Sequence, residues 1–277
     1  MNGKIQPAGR VLLVIAHGSQ AAEWNQAVVE FCSHLRGARP LPAGLEDVKW
    51  CFLEHEAPDI LTALHDHFSH DGRDLVVLPL FLSAGRHATL DIPKAIAEVI
   101  PGSSRLPGMT LHTDATRRLL LLDPPPLAGL IAGNLEHRIR RMHIKMEGAG
   151  LMVVYYGSKH FMADWEQLAG EVQVLLEQRF PRTVTGYAYA GFAVDFSPVP
   201  LAESLKAMRE KARPLVVLSA LVAVGVIQRQ IIPAAIRLAA LEGQVIHPGD
   251  AMLPDPEMEN QVLEYIAHTV PRPFLLP

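Results

Sequence analysis

VLLVIAHGS, residues 11–19, is a run of branched apolar residues that ends at a histidine, a glycine and a serine. A second apolar run, Leu75–Leu82, precedes a segment that contains His87. Short apolar runs bounded by glycine and polar residues are typical of buried parallel strands. Because the ligand crevice of an open α/β sheet lies at the carboxyl ends of its strands, we expect His17 and His87 to lie on the same edge of one sheet.

The chain repeats itself once, with a shift close to half its length. Val216–Ile236 aligns without a gap with Val76–Ile96, and Leu151–Ser158 resembles Leu13–Ser19. A duplicated α/β unit is the simplest interpretation of this repeat.

The second copy lacks both strand-end histidines. Tyr156 stands at the position of His17, and Ile227 stands at the position of His87. The scaffold therefore does not require the histidines, which favours a chemical role for them and places that chemistry in the first half of the chain.

Strands and helices alternate along the first half. The predicted elements are a helix at Glu23–Arg36, a strand at Val48–Leu53, a helix at Pro58–His70, a strand at Leu75–Leu82, a helix from about Leu90 to Ile100 and a short strand near Met109–His112. This order predicts a parallel sheet with right-handed crossovers.

We expect an α/β protein of two tandem duplicated parallel-sheet, flavodoxin-like domains that face each other across a cleft. Residues 1–126 form the first domain, 127–147 a linking helix and 148–277 a degenerate second domain. The linking helix, Leu127–Met146, has apolar residues at helical spacing. Its basic residues, Arg138, Arg140, Arg141 and Lys145, form either a solvated face or a contact with substrate carboxylates.

Composition restricts the class of partner. The 277 residues are 49% hydrophobic and carry a formal charge of −4, which argues against a nucleic-acid partner because binding to phosphates needs a basic surface. The apolar runs are too short for a membrane span. Two cysteines, Cys32 and Cys51, indicate neither a disulfide framework nor an iron–sulfur or zinc cluster. We expect a reduced, cytoplasmic setting.

Imidazole and carboxylate groups at one sheet edge indicate metal chemistry. Neutral histidines bind divalent ions such as Co²⁺, Fe²⁺ and Ni²⁺ and are bases near neutral pH. Glu54 follows the strand Val48–Leu53, so it should reach the same edge, although His55 and Glu56 are alternatives for the acid or base. Another group, His65, His67 and His70, is either a metal tract or a solvated helix end.

Three blocks of sequence resemble a known family. They are His17-Gly18-Ser19, Phe52-Leu53-Glu54 with Pro58 shortly after, and Pro79–His87 continuing into Asp91-Ile92-Pro93. Together they resemble the CbiX-type sirohydrochlorin chelatases, class II chelatases, and the duplicated chain is similar to their long, two-lobed, chelatase-like form. The chain departs from relatives at Gln20, where a basic residue is frequent, and in the missing histidines of the second copy.

The resemblance implies ATP-independent insertion of a divalent metal into sirohydrochlorin, in cobalamin or siroheme biosynthesis. It implies that His17 and His87 hold the metal and accept protons, with Glu54 assisting, and we expect Ser19, Ser83 and Arg86 to bind the acidic arms of the macrocycle. The metal is a substrate, Co²⁺ or Fe²⁺ with Ni²⁺ as a further candidate, and no ATP or iron–sulfur cluster is expected. In keeping with this, the sequence has no Gly-rich phosphate loop ending in Lys-Ser/Thr.

Two alternatives remain open at this point. The chain could be a non-catalytic tetrapyrrole or metal carrier built on the chelatase scaffold, or a chelatase for another macrocycle or for nickel. The oligomeric state is also open between monomer and homodimer, since the Pro-rich tail at residues 271–277 could mediate a contact.

Overall fold

The structure, a computed structural model, describes residues 9–82, 86–157, 161–190 and 196–271. The chain divides into two compact units. One comprises the chain up to Pro125 together with the segment from Glu259 onward, and the other is Pro126–Met258.

The first unit contains a six-stranded sheet. Its strands are β1 (Arg10–Ala16), β2 (Leu45–Phe52), β3 (Asp74–Pro79), β4 (Ser103–Leu106), β5 (Met109–Thr113) and β6 (Arg118–Leu122). The strand order is β2-β1-β3-β6-β5-β4. In this order, β2, β1, β3 and β6 run parallel to their neighbours. Strand β1 is buried at every position, as expected for a strand that is covered on both faces of the sheet.

The predicted sheet is wrong at one edge, where β5 runs antiparallel to both β4 and β6. The physical reason is a tight hairpin at Pro107 and Gly108, in which Gly108 has a φ of 74° that favours glycine. Strands β4 and β6 were not predicted from the sequence.

The helices of the first unit lie close to their predicted positions. They are α1 (Ala22–Gly37), α2 (Ile60–His70) and α3 (Ile92–Val99). A π-helical turn, His87–Asp91, precedes α3, and the N–H of Ile92 donates to the carbonyl of His87. The wider turn is explained by Pro93, which has no N–H to donate to the preceding turn and whose ring crowds it.

The second unit repeats the parallel part of the first. Its strands are β7 (Gly150–Tyr155), β8 (Val184–Tyr189), β9 (Leu215–Ala220) and β10 (Val245–Ile246). Their order is β8-β7-β9-β10, all parallel, which corresponds to β2-β1-β3-β6. Its helices are α4 (Leu127–Arg141), α5 (Met162–Arg179), α6 (Val199–Arg209) and α7 (Ile232–Leu238), the last preceded by a π-helical turn at Ile227–Ile231.

Helix α4, the predicted linking helix, lies in the second compact unit. Arg138 is 2% exposed and donates to the carbonyl of Ser219 at the end of β9, at 2.7 Å. This burial corrects the expectation that Arg138 lies on a solvated or substrate-facing side. Arg140 and Arg141 are exposed, and the helix ends at Arg141, before the predicted end at Met146.

The last helix, α8 (Pro256–Thr269), belongs to the first unit from Glu259 onward. The Tyr265 hydroxyl donates to the carbonyl of Asp123 at 2.6 Å, and Glu259 lies 2.8 Å from His34. The expected domain limits, residues 1–126, 127–147 and 148–277, stay a prediction. Residues 272–277 of the Pro-rich tail lie outside the described residues. None of the described helices combines the length and apolar character that a membrane crossing requires.

Candidate metal centre

His17 follows the last residue of β1, in a loop that depends on Gly18. Gly18 has a φ of 86°, and a Cβ atom added there would lie 1.9 Å from the backbone oxygen of Glu54. The absence of a side chain allows the loop after β2 to approach closely, so that the Glu54 N–H donates to the His17 carbonyl at 2.9 Å. The backbone therefore holds Glu54 beside His17.

His87 begins the π-helical turn that follows β3. Its ring meets the His17 ring edge-on, with a centroid separation of 4.9 Å and an interplanar angle of 85°. The His87 ring also stacks on Phe81 at a centroid separation of 6.1 Å and an angle of 28°. His87 thus contacts both an aromatic ring and the second imidazole.

The three side chains form a candidate metal centre. One ligand atom from each of His17, Glu54 and His87 lies within 4.8 Å of the other two. Both histidines are half-buried, whereas Glu54 is exposed. In the described parts of the chain, no other group of three or more histidine, cysteine, aspartate or glutamate residues comes together in this way.

The neighbours of Glu54 have other partners. Glu56 accepts hydrogen bonds from the side chain of Asn25 at 3.0 Å and from the backbone of Ala57 at 3.1 Å. His55 has a φ of 64°, and its Nε2 lies 3.4 Å from a Glu54 carboxylate oxygen. The geometry favours Glu54 among the three alternatives, because it is the one whose carboxylate lies within 4.8 Å of a ligand atom of each histidine.

The histidines of α2 do not converge. His67 is 1% exposed, and its Nε2–H donates to the carbonyl of Arg73 at 3.0 Å. His65 and His70 are exposed, and His70 lies 3.2 Å from the Asp66 carboxylate. This arrangement argues against the metal tract.

The cysteine thiols are poorly suited to metal binding. Cys32 and Cys51 are both free and buried. Burial raises the pKa of each thiol well above its usual value, which disfavours the thiolate that binds metals.

The proposed substrate-binding residues differ in their surroundings. Ser19 is engaged in its own loop, where its hydroxyl accepts from the N–H of Ala21 at 3.1 Å. Arg86 has a 72% exposed side chain whose Nε lies 3.4 Å from Asp91. Ser83 lies outside the described residues. A role for these three in binding the macrocycle stays a prediction.

Two residues that support the site were missed in the sequence. Asn25, 4% exposed, donates to and accepts from the backbone of Ser19, and thereby fixes the loop after His17. Asp91 accepts a hydrogen bond from His87 Nδ1 at 2.9 Å. Its spacing of four residues from His87 is a signal that could have indicated the pair.

Two comparisons with known proteins identify the family. The CbiX family model matches residues 11–114. The sirohydrochlorin cobaltochelatase of Sulfurisphaera tokodaii is 31% identical over 88 residues, which are 32% of this chain and 68% of that protein. The chain belongs to the CbiX family.

A second relative of this CbiX-family chain is the sirohydrochlorin cobaltochelatase of Sulfolobus acidocaldarius, 32% identical over 87 residues that cover 31% of this chain and 66% of that protein. The resemblance inferred from the sequence motifs is therefore confirmed, and the chain is an enzyme of the sirohydrochlorin chelatase type, a lyase. The segment that the family model matches, residues 11–114, contains the three residues of the candidate centre.

Solved structures extend the likeness to the whole chain. SirB from Bacillus subtilis with Fe³⁺ matches with a TM-score of 0.73 and 18% identity, covering 95% of this chain and 96% of that one. SirB from Bacillus subtilis subspecies spizizenii in complex with cobalt matches with a TM-score of 0.68 and 18% identity, covering 96% of this chain and 97% of that one. At this identity the likeness concerns the fold, and it confirms the chelatase-like α/β class with two units, each built around parallel strands.

Proposed function

We propose that this CbiX-family enzyme inserts Co²⁺ or Fe²⁺ into sirohydrochlorin without ATP, and that His17, His87 and Glu54 carry out the transfer. The observation that carries the proposal is the group of three ligand atoms within 4.8 Å of one another. The relatives named cobaltochelatases, and the SirB structures with Fe³⁺ and with cobalt, support a transition metal as the substrate.

The spacing of the three ligand atoms is close to that of ligands on a single ion. Imidazole nitrogens lie about 2.0–2.1 Å from a bound ion such as Zn²⁺, so two ligands of one ion are at most about 4.2 Å apart. A spread of 4.8 Å needs only a small side-chain adjustment to reach this limit. Three protein ligands leave further coordination positions open, through which the ion can pass to another set of nitrogens.

Metallation also requires a route for protons. Two pyrrolic N–H groups must lose their protons as the ion enters the macrocycle, and neutral imidazoles are suitable acceptors near neutral pH. The Glu54 side chain is 50% exposed, so it can exchange protons with solvent. We therefore assign ion binding to His17 and His87, whose nitrogens accept the pyrrolic protons as the ion leaves them, and proton movement to Glu54.

The same arrangement does not select among divalent ions. Co²⁺, Fe²⁺ and Ni²⁺ all accept imidazole and carboxylate ligands, and the supply of metal commonly decides which one is used. Cobalamin and siroheme biosynthesis are both compatible with the proposal.

Anaerobic absorbance spectroscopy of sirohydrochlorin tests the proposal, with Co²⁺, Fe²⁺ or Ni²⁺ added in turn. We expect the wild-type enzyme to accelerate metallation above the spontaneous rate, and His17→Ala and His87→Ala to abolish the acceleration. His70→Ala is the matched control, because His70 is exposed on α2, apart from the three-residue group. Glu54→Gln and Glu56→Gln distinguish the two carboxylates, and we expect only the first to slow the reaction. Spectral changes on binding without accelerated metallation would instead support a carrier.

A further inference from the structure

Asp91 contacts the proposed metal ligand His87 directly. Its Oδ2 lies 2.9 Å from His87 Nδ1, four residues away in the π-helical turn. Its other oxygen, Oδ1, lies 3.4 Å from Arg86 Nε. The two side chains of the Asp91–His87 pair are 35% and 36% exposed, so the hydrogen bond is partly shielded from water.

This hydrogen bond determines which ring nitrogen can bind an ion. A carboxylate accepts from Nδ1–H, and a neutral imidazole that carries its proton on Nδ1 has its lone pair on Nε2. His17 shows the same preference, because its Nδ1 lies 3.0 Å from the carbonyl oxygen of Gly18. Both rings are thereby prepared to bind through Nε2.

The second copy shows that the turn itself does not need the carboxylate. Its π-helical turn, Ile227–Ile231, has an isoleucine at the position of His87 and another at the position of Asp91. Both isoleucines are buried, at 6% and 8% exposure, in the core of the second unit. Histidine and aspartate are therefore replaced together in a turn of the same type, which links Asp91 to the histidine rather than to the turn.

We propose that Asp91 is a positioning residue that holds His87 in the Nδ1–H tautomer and directs Nε2 toward the incoming metal ion. This inference rests on the proposed function of His87 as a metal ligand. A carboxylate that accepts from a metal-binding histidine fixes the ring and increases its basicity, and loss of such a partner typically weakens metal binding about 10–100-fold.

The test is titration of the full-length protein with Co²⁺ alone. Isothermal titration calorimetry and the visible spectrum of the bound ion both monitor the binding. We expect Asp91→Ala to weaken Co²⁺ binding about 10–100-fold. Asp91→Asn should lose less, because its amide oxygen can accept the same hydrogen bond. Asp66→Ala is the matched control and should bind as the wild type does, since Asp66 forms a similar four-residue pair with His70 on α2, at 3.2 Å.

Imidazole ¹⁵N spectra provide a second measurement that a merely structural role would not change. The His87 signal, identified by its loss in His87→Ala, should show the Nδ1–H tautomer in the wild type and move toward Nε2–H in Asp91→Ala. Thermal unfolding of each variant identifies any that fail to fold, in which case Asp91→Asn replaces the alanine variant.

The outcomes separate this inference from the proposed function. Wild-type Co²⁺ affinity and an unchanged tautomer in Asp91→Ala, together with lost binding in His87→Ala, would overturn the positioning role alone. Wild-type protein that binds Co²⁺ no better than a His17→Ala/His87→Ala double variant would overturn the metal centre, and the positioning role with it.

Discussion

Replacement of Gly18 by alanine should disrupt the candidate metal centre, because it would displace the backbone of the loop that carries Glu54. The added Cβ would lie 1.9 Å from the Glu54 carbonyl oxygen, and the residue would have to keep a φ of 86°. Backbone strain of this kind costs about 1–3 kcal/mol. Movement of the Glu54 loop would also break the 2.9 Å bond from the Glu54 N–H to the His17 carbonyl, a further loss of about 1 kcal/mol.

The expected decrease in the free energy of unfolding of Gly18→Ala is therefore about 2–4 kcal/mol. Urea denaturation followed by circular dichroism measures it, and Co²⁺ titration should show weaker binding because Glu54 moves away from the histidines. Gly37→Ala is the matched control in the first unit, since its added Cβ would meet no atom within 4 Å. It should change stability by no more than about 0.5 kcal/mol. A Gly18→Ala protein with the stability and Co²⁺ affinity of the wild type would refute the reasoning.

Three further predictions concern stability. Leu78→Ala, which truncates a fully buried side chain of β3, should lower the free energy of unfolding by about 2–5 kcal/mol in urea denaturation; a loss typical of a surface site would contradict the assigned burial. Asn25→Ala should cost about 1–3 kcal/mol, because partly buried backbone groups of Ser19 lose their partner, and an unchanged melting temperature would contradict this. Burial lowers the pKa of His67 below its usual 6.5, against the opposing effects of the Arg73 carbonyl and Asp71. The unfolded chain therefore binds more protons than the folded protein does once the pH falls below about 6.5, and the free energy of unfolding decreases as the pH falls. His67→Gln should make that decrease shallower, and an identical pH profile would contradict the assignment.

The positions of most elements in the first unit follow from the sequence. Unbroken apolar runs such as Val11–Ala16 are buried on both faces, so local pattern and final environment agree there. The antiparallel edge was missed because β4 has three exposed residues of four and lacks an apolar run. Pairing with β5 through the turn at Gly108 defines that strand, and such pairing is not visible in the strand's own residues.

The candidate site divides in the same manner. The strand-end positions of His17 and His87 placed both on one edge of the sheet, because parallel strands end together. Sequence spacing left Glu54, His55 and Glu56 as alternatives, and the structure adds that a Glu54 ligand atom lies within 4.8 Å of those of both histidines. The role of Arg138 was likewise decided by tertiary packing, which buries its guanidinium against the carbonyl of Ser219.

The sequence by itself determined the duplicated α/β plan, the family and the half of the chain that carries the histidines, because apolar periodicity and repeated motifs are local properties. Only the tertiary structure decided which atoms meet: the 1.9 Å approach that requires Gly18, the carboxylate that joins the two imidazoles, and the Asp91 oxygen on His87 Nδ1. These contacts depend on the directions of side chains and loops after packing, which sequence spacing does not specify.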